Sequence, residues 1–575
     1  MDRSDLAWLG SAILLLVFVA LEPLLTFPIF GSDTGEYYNL TSVLLTSGHL
    51  PSAASYAGWG FAYSEFPGLF EISAATAGAT GVGVLPALQL VAPVLAALAV
   101  VPLFLLFRRL VGNDTVAILG ATLGALFMPR MFSVAHPAPL ALGDFLVLGA
   151  LWMFLESRRD VRWYVPLAAT AASLVFTHHL STYFFVVSAL GLLVLPELVW
   201  PGRWSARFPL REFVFLGVVL SGALAFWFHD QAFGAIVSHP VAGLTLTFPI
   251  VEAVTMGGIV LAAALVAVRR RVGGSRPIRL KFPSDRSVVR DAVILLVGIY
   301  GGLALLIAHP LPGTSGQTTT VAALVFFTPL LLAIVLTSGS RRLLAFSRDG
   351  PLALLWVAAI GVSAILALAL GESTISPERH AEYLVIPLGL VVAVCLGRLV
   401  GLAHDRAGRP AAISVALAVV VLVAANAAIA YPPPALLDGF QEGLTNGDAA
   451  AWMWTGIAVP VGDAVASDHR VSSMVFGFDG NPATWDSTTA LFWGTNASAA
   501  YAELNSTLAP HVDRAIAVVI VDGTMRTTGV ALDPGGVAMP LSVPATEWLG
   551  TVPFVPVYEN GGTTVYWVDF SVAPT

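Results

Sequence analysis

The sequence predicts an all-α polytopic membrane bundle of about 13 transmembrane helices, followed by a small mixed α/β domain on the far side of the membrane. Three observations predict it. Apolar runs of about 17–25 residues, long enough for the roughly 30 Å hydrocarbon layer, recur through a chain that is 57% hydrophobic, 11% charged and of mean hydropathy +0.82. The basic residues sit in alternate connections between these runs. At Tyr431-Pro432-Pro433-Pro434 the runs stop, and the remaining residues read as strands and helices of a water-exposed unit.

The spans fall near 8–29, 84–107, 115–133, 139–156, 163–178, 181–199, 213–230, 250–268, 291–308, 320–337, 351–370, 384–402 and 411–430. The first, apolar from Leu6 to Leu25 with no A-x-A-like cleavage site after it, reads as a retained signal-anchor helix. Only His178, His179, Leu180 and Ser181 separate the fifth from the sixth; joining them into one helix breaks the alternation of Arg-rich loops thereafter. Of the 28 Lys+Arg, 23 fall on the side that the positive-inside rule makes cytoplasmic: Arg3, Arg108, Arg109, Arg158, Arg159, Arg162, Arg203, Arg207, Arg211, Arg269 to Arg271, the Arg276 to Arg290 stretch with Lys281, Arg341, Arg342, Arg348, Arg398, Arg406 and Arg409. Arg130, Arg379, Arg470, Arg514 and Arg526 lie outside. The expected topology is a multi-pass protein of the cell membrane with its N-terminus cytoplasmic and its C-terminus extracytoplasmic. Cys395, the one cysteine, lies within a span, which excludes an intramolecular disulfide and a Cys-based metal site and leaves it as small buried filler.

Two domains follow: a transmembrane domain over 1–431 with a long outer loop at 31–83, and an acidic extracytoplasmic domain over 432–575. Residues 435–575 hold 14 Asp+Glu against 3 Arg, whereas residues 1–434 hold 22 against 25, giving the chain its net −8. Such an acidic surface is a solvated one and argues against nucleic acid as a partner. With one Lys against 27 Arg, the composition suggests a GC-rich prokaryote and a salty exterior. Ala515 to Asp522 reads as a buried strand ending at an Asp turn. Val555 to Tyr558 and Thr563 to Phe570 read as a hairpin across Glu559-Asn560-Gly561-Gly562. Ala449 to Ile457 and Ala499 to Leu508 look helical. Asn496-Ala497-Ser498 and Asn505-Ser506-Thr507 match the glycosylation sequon, a short pattern that chance often produces.

The chemistry is expected at the outer loops. The first begins Gly31-Ser32-Asp33-Thr34-Gly35-Glu36, and Asp33, just beyond a span and before a helix-like run to Leu45, stands where an N-cap stands. Two readings of it are open: an ordinary cap, or a general base that accepts the proton of an attacking hydroxyl. Glu36 is placed to support that carboxylate or to bind a divalent cation (Mg or Mn), although one Asp and one Glu form a weak metal signature. Trp59 to Phe70 is aromatic-rich and leads into a half-apolar stretch to Thr80, which suits a helix lying at the headgroups. The histidines also favour this side: His49, His136, His229, His239, His309 and His380 at outer loops, His469 and His511 in the exported domain, His404 inside. His178-His179, with Thr177 and Ser181 at an apolar boundary, is expensive to bury without a task. The loops around Arg130 and His136, and around Glu378, Arg379 and His380, each offer a guanidinium, whose planar fork suits phosphate. An ion pair of Arg379 with Glu378 or Glu382 is the alternative. Asp144, inside the fourth span, needs a partner.

In this layout the chain resembles the GT-C superfamily of membrane glycosyltransferases, which use polyprenyl-phosphate-linked sugars at the extracytoplasmic face. The resemblance is carried by Asp33 after the first span, the interfacial stretch Phe66 to Thr80, the outer loop Arg130 to Pro137 two spans later, the late outer Arg379, and the exported C-terminal domain. It implies that Asp33 is the catalytic carboxylate, that Arg379, Arg130, His178 and His179 hold the donor phosphate, and that Glu36, His136, Glu378 and His380 support the site. Thirteen spans and an exported domain look most like oligosaccharyltransferase catalytic subunits. The W-W-D-Y-G motif of those subunits is absent, the corresponding stretch reading Ala464-Val465-Ala466-Ser467-Asp468-His469-Arg470, and His136-Pro137-Ala138 stands where a D-x-D-type pair is expected. The resemblance therefore points to an archaeal dolichol-phosphate-mannose transferase (or one of a similar monosaccharide), whose donor is a polyprenyl- or dolichyl-phosphate sugar, whose acceptor is a lipid-linked glycan or protein, and which needs no metal. An oligosaccharyltransferase-like subunit and a transporter or flippase of lipid-linked sugars are the rival readings. The latter calls for an internal repeat and broken midplane helices, and the sequence shows no repeat.

Overall fold

The computed structural model describes residues 2–201, 207–229, 247–272, 285–308, 321–338, 349–370, 375, 377–437, 439–484, 488–505, 516–532 and 538–572. His239, His309, His511, Arg514 and the 372–374 segment fall outside the described residues, as does the side chain of Glu378.

Apolar runs become helices because a backbone in hydrocarbon must satisfy its own hydrogen bonds. In order they are α1 (Arg3–Leu21), α2 (Thr34–Ser47), α3 (Gly68–Thr80), α4 (Val84–Leu98), α5 (Val100–Val111), α6 (Asp114–Leu126), α7 (Arg130–Val134), α8 (Pro139–Ser157), α9 (Tyr164–Val175), α10 (His179–Val199), α11 (Leu210–His229), α12 (Phe248–Val272), α13 (Asp285–Ala308), α14 (Val321–Phe326), α15 (Thr328–Leu336), α16 (Pro351–Leu370) and α17 (Pro377–Ala428). Among the described residues eight helical runs are long and apolar enough to cross a membrane: Arg3–Leu25, Val84–Val111, Pro139–Ser157, His179–Val199, Leu210–His229, Phe248–Val272, Pro351–Ala369 and Arg379–Ala428. The last is two helices, divided where Gly408 takes φ 77° beside Pro410. The protein is a multi-pass membrane protein.

The fifth and sixth spans are separate helices, since His178 leaves α9 in an extended conformation and caps α10 by accepting from the Ser181 amide. Two elements are shorter than the sequence predicts. α6 ends before Pro129, and α9 ends at Val175; at about 1.5 Å per residue each covers only about 20 Å. The residues that complete the predicted span 115–133 turn aside into α7 instead.

α6 lies against the first half of α17 at backbone distance. A Cβ on Gly389 would stand 2.4 Å from the Gly124 amide nitrogen, so only glycine allows this approach. Inside the bundle Arg130, 1% exposed, pairs with Asp144 of α8 and donates to the carbonyl oxygen of Ala125 at 2.6 Å. This is the partner that Asp144 requires.

Beyond Pro434 the chain builds a five-stranded sheet from β3 (Ala464–Ala466), β4 (Ala483–Thr484), β5 (Ile516–Val521), β6 (Phe554–Glu559) and β7 (Thr564–Val568), in the order β4-β3-β5-β7-β6. β4, β3 and β5 are parallel, and β5, β7 and β6 antiparallel. The predicted apolar strand is the central one, buried on both faces as its unbroken apolar run requires. The predicted hairpin is β6–β7, and the predicted helices are Asn446–Ala458, here α18, and Ala497–Asn505. A short ribbon, β1 (Ile29–Phe30) paired antiparallel with β2 (Gly443–Leu444), joins the end of the first span to the entry of this domain.

Removing one partner of a buried ion pair strands the other charge. Arg130→Ala and Asp144→Ala are each expected to cost about 3–5 kcal/mol, and Arg130→Met with Asp144→Leu together much less. Thermal unfolding in detergent checks this; equal losses in the single and double variants would contradict the assignment.

Candidate active site

The first loop is built around two carboxylates of α2 with opposite surroundings. Glu36 is fully buried and accepts the Tyr56 hydroxyl at 2.6 Å and the Trp59 amide at 3.0 Å, so it is the post on which residues 56–60 are wound. Burial pushes its carboxyl up to about 7, against the pull of those donors and the Gly60 amide, with Asp33 adding a further push. Asp33 stands in the N-cap position of α2 but makes no capping hydrogen bond. Its Oδ1 lies 2.6 Å from His469 Nε2, its Oδ2 accepts the Tyr37 hydroxyl at 3.3 Å, and its side chain stays 20% exposed. Of the two readings of this residue, the local geometry leaves the carboxylate free of cap duty.

His469 arrives on α19 (His469–Met474), whose N-cap is Asp468, accepting from the Val471 amide at 3.1 Å. The next residue fixes the helix: Arg470, 1% exposed, is held by Asp468 and by Asp522 at the end of β5, and donates to the Gly443 carbonyl at 3.1 Å. Trp59 closes over the imidazole edge-on, its ring centre 5.2 Å away. The approach of the two domains is close enough to demand glycine. A Cβ on Gly35 would fall 2.0 Å from the Ser473 carbonyl oxygen, and one on Gly477 2.0 Å from that of Gly35.

Around this centre the structure gathers several of the sequence-derived residues. Gly31 packs on His136 and Pro137, and the His136 ring meets Phe30 edge-on. Phe66, at the end of the first loop, lies against His179 with ring centres 5.5 Å apart. His178 Nδ1 is 2.8 Å from the Ser181 hydroxyl, itself 2.9 Å from that of Tyr383. Arg379 keeps a 48% exposed side chain, with Glu382 at 3.2 Å and the Ser133 hydroxyl donating to the same Glu382 oxygen at 2.7 Å. Its charge reaches both Tyr63 and the His178–His179 pair. Arg130 and His380 are placed otherwise: the first is taken by Asp144, and the second is buried on Phe184 with Nε2 2.8 Å from the Ser363 hydroxyl.

The chain folds like known membrane glycosyltransferases. The oligosaccharyltransferase AglB of Archaeoglobus fulgidus, in complex with an inhibitory peptide and a dolichol-phosphate, superposes with a TM-score of 0.57 at 16% identity over 100% of this chain and 75% of that one. The same enzyme with Zn and sulfate gives 0.55 at 16% identity, over 90% and 68%. ArnT from Cupriavidus metallidurans, bound to undecaprenyl phosphate, gives 0.44 at 13% identity over the full length of both chains. The fold is GT-C. Neither a protein-family profile nor a curated protein matches the chain.

A divalent cation does not fit the Asp33–Glu36 pair as these residues are placed. Both oxygens of Glu36 are engaged by donors, His469 occupies Oδ1 of Asp33, and among the described residues no three His, Cys, Asp or Glu side chains converge. Sequence reasoning missed His469, Tyr37 and the Tyr56–Trp59 turn. The signal for His469 was present, since Ser467-Asp468-His469-Arg470 joins an N-cap residue to two side chains costly to bury after a short apolar run.

Because Glu36 holds its proton to about 7 when folded and releases it near 4.5 when unfolded, folding binds the proton and stability falls as pH rises between those values. The change is on the order of 3 kcal/mol. Glu36→Gln is expected to flatten this dependence, raising the unfolding midpoint at pH 8 relative to the native chain and leaving it nearly unchanged at pH 5.

Proposed function

We propose that the protein is a membrane glycosyltransferase that transfers a single sugar, mannose being the first candidate, from a dolichyl- or polyprenyl-phosphate donor to a lipid-linked glycan or protein acceptor, in protein glycosylation at the extracytoplasmic face. The observation that carries the reading is Asp33: a carboxylate at a helix start, excused from capping, partly open, and near Tyr63, which Arg379 also neighbours. The GT-C fold supports it, as does the dolichol-phosphate held by the Archaeoglobus enzyme.

In this reading the lipid tail lies among the helices and the donor phosphate meets Arg379 with His178 and His179. Arg130 is engaged by Asp144 inside the bundle and is not needed for this step. Asp33 takes the proton of the acceptor hydroxyl; that oxygen forms its bond to the anomeric carbon while the bond from that carbon to the phosphate oxygen breaks. The electron pair leaves with the phosphate, and the fixed guanidinium stabilises the charge that develops there. The donor is spent as the bare lipid phosphate. A second reading, transfer of a lipid-linked oligosaccharide to asparagine, is favoured by the likeness to AglB and is separated from the first by the sugar moved and by the acceptor.

Membranes containing the chain are expected to move radiolabelled sugar from polyprenyl-phosphate mannose or glucose. Asp33→Asn is expected to lower the rate about 100-fold or more, and Arg379→Ala to weaken donor use and the rate together. Transfer only of a lipid-linked oligosaccharide, from a mono- or diphosphate carrier, to a sequon peptide would select the second reading. No transfer from any of these donors by folded protein would overturn both.

A further inference from the structure

Asp33 and His469 lie 436 residues apart in sequence and meet at 2.6 Å across the junction of the two domains. The carboxylate is 20% exposed and the imidazole wholly buried, so an acceptor reaches the first and not the second. His469 is hemmed by Trp59 from the first loop, by Asp33 from α2, by Asp468 at its own helix start and by Glu442 before β2, the last also accepting the Ser32 amide at 2.6 Å. The neighbouring cation, Arg470, is matched by Asp468 and Asp522. On the Asp33 side stand Tyr37, Tyr63 and Glu36. An imidazole ringed by carboxylates is a donor, and the group it donates to is the one that α2 leaves uncapped.

We propose that His469 is a positioning residue for Asp33: delivered by the docked C-terminal domain, its ring holds the carboxylate by Oδ1 and leaves Oδ2 for the proton of the acceptor hydroxyl. The base is complete only when that domain is docked. The role rests on the transferase reading, whereas the ion pair itself does not. A cation supplied by the protein stands beside the base, which agrees with the poor fit of these residues to a divalent metal.

Burial works against the charged ring, but Asp33, Asp468 and Glu442 outweigh it and hold His469 above its ordinary 6.5. The sign follows. The imidazolium–carboxylate pair contributes fully below the ordinary imidazole value and is lost as pH climbs through the raised one.

Two measurements on the full-length protein test this. With ring-labelled histidine, the NMR signal that vanishes in His469→Gln is expected to titrate above the usual imidazole range and to fall by about one pH unit or more in Asp33→Asn. A titration that Asp33→Asn leaves unmoved overturns the pair. In sugar transfer, His469→Ala is expected to lower kcat about 10- to 100-fold with donor KM changed less than about threefold, since a misplaced base loses rate and not binding. His469→Gln keeps a side-chain N–H; it is expected to recover most of the rate and to lose the alkaline limb of the pH profile. A folded His469→Ala protein with native kcat, equal loss in both variants, or a limb that survives in His469→Gln overturns the positioning role. Absence of transfer by the native chain counts against the transferase reading, and the titration still decides the pair.

Discussion

The site depends on the closure of the C-terminal sheet domain onto the first loop. At its tightest point the backbones of Gly35 and Gly477 touch, with Ser473 between them, so neither a longer side chain nor a water layer separates the domains there. The β1–β2 ribbon fixes the register of that contact, because Ile29 and Phe30 pair with residues at the domain's own entrance. Given those restraints, Asp33 and His469 meet, and the environment of the outer carboxylate is set by a domain that begins some 400 residues later in the chain.

Charge is handled differently in three places. Arg130 and Asp144 neutralise each other inside the bundle, where an isolated ion of either sign is costly. Arg470 is clamped by Asp468 and Asp522 in the sheet domain, tying the start of α19 to the end of β5. Arg379 meets Glu382 at 3.2 Å and keeps half its side chain open.

That the chain holds many helices long and apolar enough to cross a membrane was legible because hydrocarbon imposes a length. Where helices came out short, at α6 and α9, the cause is local chemistry, Pro129 in one case and the capping histidine His178 in the other, and neither lowers the hydropathy that a span is read from. In the sheet domain β5 and the β6–β7 hairpin were legible from a continuous apolar run and a Gly-rich turn. β3 and β4, of three and two residues, carry no periodicity to read. Asp144 was legible as a carboxylate in need of a partner, but that Arg130 answers it is a matter of how α7 folds back on α8.

By itself the sequence determined the class of the molecule and the acidic domain after the Pro-rich boundary. These follow from the solvation of side chains and backbone, which act residue by residue and leave their mark in local composition. Tertiary structure decided that Glu36 is a buried post, that Arg130 belongs to Asp144, and that His469 completes the surroundings of Asp33. Burial and long-range pairing arise only when distant segments are brought to one place, and no local property of the chain encodes which segments those are.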